Sequence, residues 1–110
     1  KMRFSFKRGR LDLSTHPFCT EIHSKDIRIT TRIDEADPLG CLMGVMHETG
    51  HALYDAGLSE EWYGTPLGQH LSMGMHESQS RFWETRIGQS RPFWKGFYPL
   101  IQKTFPKPLQ

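Results

Sequence analysis

The run from Asp37 to Gly57 constrains this chain more than any other stretch of it. Asp37 can accept hydrogen bonds from the exposed amides of a helix start, and Pro38 suits the first helical position, where a missing N–H costs nothing. Leu39, Leu42, Met43, Met46, Gly50 and Leu53 then recur at helical spacing, and Gly57 is placed to end the run. The pattern predicts an amphipathic helix over 38–56. Gly40, Gly44 and Gly50 would each cost that helix about 1 kcal/mol against alanine. Their presence predicts close packing of other elements against it.

Inside this helix His47-Glu48-Thr49-Gly50-His51 reads H-E-x-x-H. Residues four apart on a helix share a face, so the two imidazoles can grip one metal ion at about 2.0–2.1 Å each. Glu48 is one residue round from His47. It flanks such an ion without being forced to ligate it, which is where a general base acting on water is needed. The bare motif arises by chance in about 2% of chains of this composition. The plainer reading is two helical histidines that merely hydrogen-bond, and the helix cap and periodicity weigh against it. A catalytic zinc keeps three protein ligands and one open position. The extended zincin pattern that takes its third histidine from the same segment is absent, since Tyr54 and Gly57 stand where it needs Gly and His. The remaining candidates are Glu77 and His76 on the next helix. The plainer reading of Glu77 is an i,i+4 surface pair with Arg81.

The rest of the chain supplies little chemistry. Ile27, Ile29 and Ile33 alternate with Arg28, Thr30 and Arg32, which predicts a half-buried strand over 26–33. The polar His23–Asp26 stretch before it can turn a hairpin with Ile22. A second helix follows Thr65-Pro66, or starts nearer Ser72, and runs to about Ile87. A third covers 92–105, with Trp94 and Phe97 read as core and Pro99 blurring its limits. The fold class is therefore mainly α with a small β-hairpin or sheet. At 110 residues it is one domain or part of one. The start at Lys1 and the Pro106–Gln110 end suggest an excerpt of a longer protein.

Composition closes off several classes. A mean hydropathy of −0.57 and the lack of a long apolar run argue against a membrane partner. A net charge of +2 is too weak to imply nucleic acid, and the basic first ten residues read as a solvated face. Cys19 and Cys41 are too few for a disulfide scaffold and read as small buried residues in a reducing, cytoplasmic setting. His23 and His70 read as ordinary surface residues.

Four stretches in order, His-Pro-Phe at 16–18, Asp-x-Arg-x-Thr at 26–30, His-Glu-x-x-His at 47–51 and His-Glu-Ser-Gln at 76–79, resemble signature motifs of the carboxypeptidase Taq family, also called thermostable carboxypeptidase 1. Gly64-Thr65-Pro66-Leu67-Gly68 and Ser80-Arg81-Phe82-Trp83-Glu84 fit it too, so the resemblance spans nearly the whole chain. It implies a largely helical zinc metallocarboxypeptidase, usually a homodimer, acting on peptides with broad specificity. It implies His47 and His51 as zinc ligands, Glu77 as the third, and Glu48 as the catalytic carboxylate. Cobalt is an accepted substitute for zinc in such a donor set. It implies a place near the site for His16, Asp26 and Arg28. His76 and Arg81 join them as candidate groove or supporting residues. Arg28, Arg32 and Arg81 are more naturally salt-bridge partners than carboxylate binders. The family's later motifs, Ile-Arg-x-x-Ala-Asp and Gly-x-x-Gln-Asp-x-His-Trp, are not among these residues, so groups binding the substrate carboxylate are expected elsewhere. The strand at 26–33, if it were an edge, could pair with an extended substrate. The alternative to an enzyme is a non-catalytic zinc staple between two helices. Against it, a structural site usually fills all four positions with Cys or His and has no use for Glu48.

Overall fold

The computed structural model describes residues 2–105. Lys1 and the Pro106–Gln110 end, on which the reading as an excerpt rests, lie outside the described residues. Three strands come first: β1 (Gly9–Leu13), β2 (Cys19–His23) and β3 (Asp26–Thr31). They form one sheet in the order β1-β3-β2, with β1 parallel and β2 antiparallel to the middle strand. The expected hairpin is β2 turning back onto β3. Its central position removes the free edge on β3, so the pairing with substrate that an edge strand would allow is excluded for it.

The alternation in β3 does what period two requires. Ile27 and Ile29, each 1% exposed, bury one face of the sheet against Ala52 of the long helix. Ile33, the third member of the alternating set, lies beyond the strand and is exposed.

That helix, α1, spans Pro38–Ala56 as predicted. Asp37 Oδ1 accepts from the Gly40 amide at 2.8 Å, and Pro38 opens the first turn. The helix stops at Gly57, whose φ of −91° is right-handed, so the stop does not use glycine's left-handed freedom. The three internal glycines differ. A Cβ on Gly40 would meet only the Asp37 cap, and one on Gly44 would sit at an ordinary 3.8 Å from Pro17. A Cβ on Gly50 would lie 2.6 Å from the Ser80 Cα, inside the backbone of the next helix. Close helix packing is therefore a property of Gly50 rather than of all three.

The second helix, α2, is Met73–Arg81, and the Ser72 hydroxyl caps it by accepting from the Met75 amide at 3.1 Å. Thr65-Pro66 starts only a 3-10 turn, Pro66–Gly68. Beyond Arg81 the chain continues as a π-helical segment, Phe82–Gly88, a widened form that often accompanies functional sites. The third helix, α3, covers Arg91–Thr104, capped by Ser90, and runs through Pro99. No residue of α3 is buried. Trp94 and Phe97 are half-buried rather than core, and Phe97 lines an apolar groove with Phe93, Leu42, Val45 and Met46. Among the described residues no helix is long and apolar enough to cross a membrane.

Candidate metal centre

The site is built where α1 and α2 touch. His47, His51 and Asp55 form one line along α1 at four-residue intervals, and the rings of His47 and His51 have centroids 5.0 Å apart. Gly50 admits the backbone of Ser80, which is fully buried. Glu77 lies one turn before Ser80, and that contact sets it opposite the two histidines. Glu77 Oε2 is 3.2 Å from His51 Nε2 and 3.6 Å from His47 Nε2. A tetrahedral ion with bonds of about 2.0–2.2 Å has ligand–ligand edges of about 3.3–3.6 Å. The three side chains thus offer two imidazole nitrogens and a carboxylate oxygen at the spacing one divalent cation requires, all within 4.8 Å of one another.

Glu77 also makes the i,i+4 pair. Its other oxygen, Oε1, accepts from Arg81 Nε at 3.2 Å. The two readings of this residue are compatible because each uses a different oxygen. Arg81 reaches Glu84 as well, at 3.8 Å, and is itself mostly exposed.

The charges around the triangle follow from burial. Glu48 is 9% exposed, and desolvation pushes its carboxyl above the usual carboxylate range; His47 opposes that and Glu77 adds to it. A carboxylate raised in this way is better matched to accepting a proton near neutral pH. Burial, with His76 and His47 nearby, holds the His51 imidazole below its ordinary value, so it is neutral and able to ligate at pH 7. Burial alone would raise Glu77, but His47 and His51, helped by Arg81 and Ser80, outweigh it and keep that carboxylate low.

Behind the triangle stand two carboxylates that the sequence reading did not single out. Glu84 Oε2 is 2.8 Å from His47 Nδ1. Asp55, 6% exposed, places Oδ1 2.7 Å from His76 Nε2, while His76 Nδ1 hydrogen-bonds to His51 Nδ1. His76 is therefore placed behind His51 and not among the three ligand atoms. The signals were present as spacing. Asp55 follows His51 by four residues and Glu84 follows Glu77 by seven, each on the same helical face as the residue it follows.

Asp26 and Arg28 lie away from the triangle, whereas His16 is near enough to Glu48 for its charge to oppose the rise of that carboxyl. Asp26 and Arg28 grip each other through two hydrogen bonds of 3.0 and 2.8 Å. Arg28 is next to Ile27 and Ile29 in β3, so it faces away from α1. The hydrogen bond from Arg28 holds the Asp26 carboxyl below its ordinary range. Exposed His16 lies between β1 and β2 on a cleft with Pro17, Thr31 and Gly44, and its carbonyl accepts from Thr30 Oγ1 at 3.2 Å. His23 packs against Tyr63 at the surface, as expected of it. His70 is exposed, but its ring meets His76 edge-on at 4.8 Å, so it is not an isolated surface residue. Cys19 and Cys41 are both free and half-buried.

The sequence profile of the family described as Carboxypeptidase Taq (M32) metallopeptidase matches residues 1–110. Carboxypeptidase 1 of Bacillus subtilis is 43% identical over 106 residues, covering 96% of this chain and 21% of that protein. Thermostable carboxypeptidase 1 of Thermus thermophilus is 46% identical over 102 residues, covering 93% of this chain and 20% of its own length. The crystal structure of an M32 carboxypeptidase from Deinococcus radiodurans superposes with a TM-score of 0.89 at 50% identity, over 93% of this chain and 20% of that one. The chain spans about a fifth of the length of these relatives.

Proposed function

Because the chain belongs to the carboxypeptidase Taq (M32) family of metallopeptidases, we propose that His47, His51 and Glu77 hold one divalent cation and that the intact protein releases C-terminal residues from peptides. The single observation that carries this reading is the triangle itself, two Nε2 atoms 3.6 and 3.2 Å from one carboxylate oxygen with buried Glu48 beside them. Zinc is the cation proposed, with cobalt able to replace it in the same nitrogen and carboxylate set. When bound, such an ion would lower the pKa of a water to near neutrality and polarise a carbonyl oxygen.

The chain's own residues do the rest. His47 and His51 present their Nε2 atoms, and Glu77 contributes Oε2 while Arg81 keeps its other oxygen occupied. Glu48, raised by burial, takes the proton from the water that attacks the scissile carbonyl. It then returns that proton to the leaving amine. Binding of the substrate's terminal carboxylate is assigned to residues outside these 110, as the family resemblance implies. On the same resemblance the intact protein is a homodimer with broad side-chain tolerance; its charge, hydropathy and cysteine usage favour a cytoplasmic setting and a peptide rather than nucleic acid or membrane as its partner.

The test compares intact wild-type protein with Glu48→Gln. The proposal expects about one zinc per chain in both and release of C-terminal amino acids in the wild type alone. Zinc in both with no turnover in the wild type would favour a structural metal. No zinc in either would remove the site.

A further inference from the structure

Among the described residues, a second group of potential ligand side chains, Asp55, His70 and His76, lies on the Nδ1 side of His51. Their donor atoms also lie within 4.8 Å of one another, which raises the question of a second ion. The closest contact answers it. Asp55 Oδ1 and His76 Nε2 are 2.7 Å apart. That is a hydrogen-bond length, well below the edge of about 3.3 Å that two ligands of one ion keep. At that length the pair reads as a hydrogen bond.

The placement of the proton in that bond orders the rest. An ionised carboxylate only accepts, so the hydrogen sits on His76 Nε2. A neutral imidazole protonated at Nε2 carries its lone pair on Nδ1. His76 Nδ1 meets His51 Nδ1 within hydrogen-bond distance, with the two ring planes 23° apart. His51 must then donate from Nδ1, which leaves its own lone pair on Nε2. That is the atom 3.2 Å from Glu77 Oε2. The His76 ring is held in this orientation by the edge-on rings of Tyr54 and His70, with centroids 5.4 and 4.8 Å away.

We propose that Asp55 and His76 are a two-residue positioning relay that locks His51 in the tautomer whose Nε2 faces the metal centre. The inference rests on reading the triangle as a metal site. Neither residue touches the ion or the substrate; both act through His51, as Glu84 acts on His47 through a single hydrogen bond. Partners of this kind orient metal-ligating histidines and raise their basicity.

The test measures Zn²⁺ affinity of the intact protein by competition with a chromophoric chelator. Wild type is compared with His76→Gln and His76→Phe. Glutamine keeps one acceptor and one donor in place of the two ring nitrogens. Phenylalanine keeps the ring and its contacts with Tyr54 and His70 but neither polar atom. The relay predicts affinity about 10–100-fold weaker in His76→Phe, with most of it retained in His76→Gln. A role in packing alone predicts the reverse order, and that order would overturn the proposal. If His76→Phe does not fold, Asp55→Ala and His70→Ala replace it, and the relay requires the larger loss of affinity in Asp55→Ala, since His70→Ala removes a ring contact but no hydrogen bond of the relay; an equal or larger loss in His70→Ala would overturn it. Two Zn²⁺ per wild-type chain, falling to one in His70→Ala, would overturn the relay in favour of a second ion. A wild-type protein that takes up no Zn²⁺ would refute the metal site itself, an outcome distinct from equal affinities in wild type and His76→Phe, which would refute the relay alone.

Discussion

Gly50→Ala should separate the folding of this segment from the assembly of its site. The added Cβ would stand 2.6 Å from Ser80 Cα and 2.9 Å from the Gln79 carbonyl oxygen, where ordinary contact begins at 3.4 Å. Both neighbours are backbone, so no side chain can rotate out of the way. The α2 backbone must retreat by about 0.8 Å, a small-to-large change of the kind that costs roughly 1–3 kcal/mol. Alanine returns about 1 kcal/mol of helix propensity in α1, so the net loss of stability is about 0–2 kcal/mol. The site fares worse. Glu77 moves with α2, and a retreat of that size along the line to His51 opens the 3.2 Å separation to about 4 Å. Metal–ligand distances tolerate about ±0.2 Å, and a misplacement near 1 Å costs catalysis about 100-fold. The variant is expected to remain folded in a thermal melt with chelator present, yet to bind Zn²⁺ at least tenfold more weakly by chelator competition, with turnover reduced to match. Affinity and turnover equal to wild type would refute the claim that the Gly50–Ser80 contact sets the position of Glu77.

Two further predictions follow from the surroundings of the triangle. Glu84→Gln removes the charge 2.8 Å from His47 Nδ1 and should weaken Zn²⁺ binding about tenfold without moving the apo melting temperature appreciably; unchanged affinity would show that Glu84 is only a surface partner of Arg81. Burial, reinforced by Asp55, Glu48 and Glu21, pushes the Cys19 thiol up to about 12, so about one molecule in ten thousand carries the thiolate at pH 8. Iodoacetamide should label Cys19 far more slowly in native than in urea-unfolded protein. Because its folded pKa lies above the unfolded value, Cys19 contributes stability that is present below about pH 9 and lost as pH rises toward 12. Native labelling at the unfolded rate would refute its burial.

What the sequence discloses here is what local chemistry encodes. The first helix is readable to its ends because its cap, its proline and its apolar period are all contained within it. Ile27 and Ile29 declare β3 in the same way. β1 is not readable, since its five residues are mostly exposed and owe their extended form to parallel pairing with a strand about eighteen residues away. Pairing order also escapes the local pattern, so β3 could be read as an edge although it is the middle strand. The two histidines and Glu48 follow from one motif, and Glu77 from a resemblance. Asp55 and Glu84 do not follow, because a carboxylate on a helix is ordinarily solvated, and only the packing of α1 on α2 and the π-helical segment turns these two toward imidazoles. The aromatic residues of α3 stand out in the sequence, but the partners that line its groove are set by tertiary structure.

In the proposed function His47, His51 and Glu77 converge on one divalent cation. X-ray absorption spectroscopy of the zinc-loaded intact protein tests it most directly, read beside Glu77→Gln and His51→Ala. Such a site predicts nitrogen and oxygen ligands only, at about 2.0–2.2 Å, with two imidazole signatures in the wild type and one in His51→Ala. A sulfur shell near 2.3 Å, or a spectrum unchanged by either substitution, would contradict it.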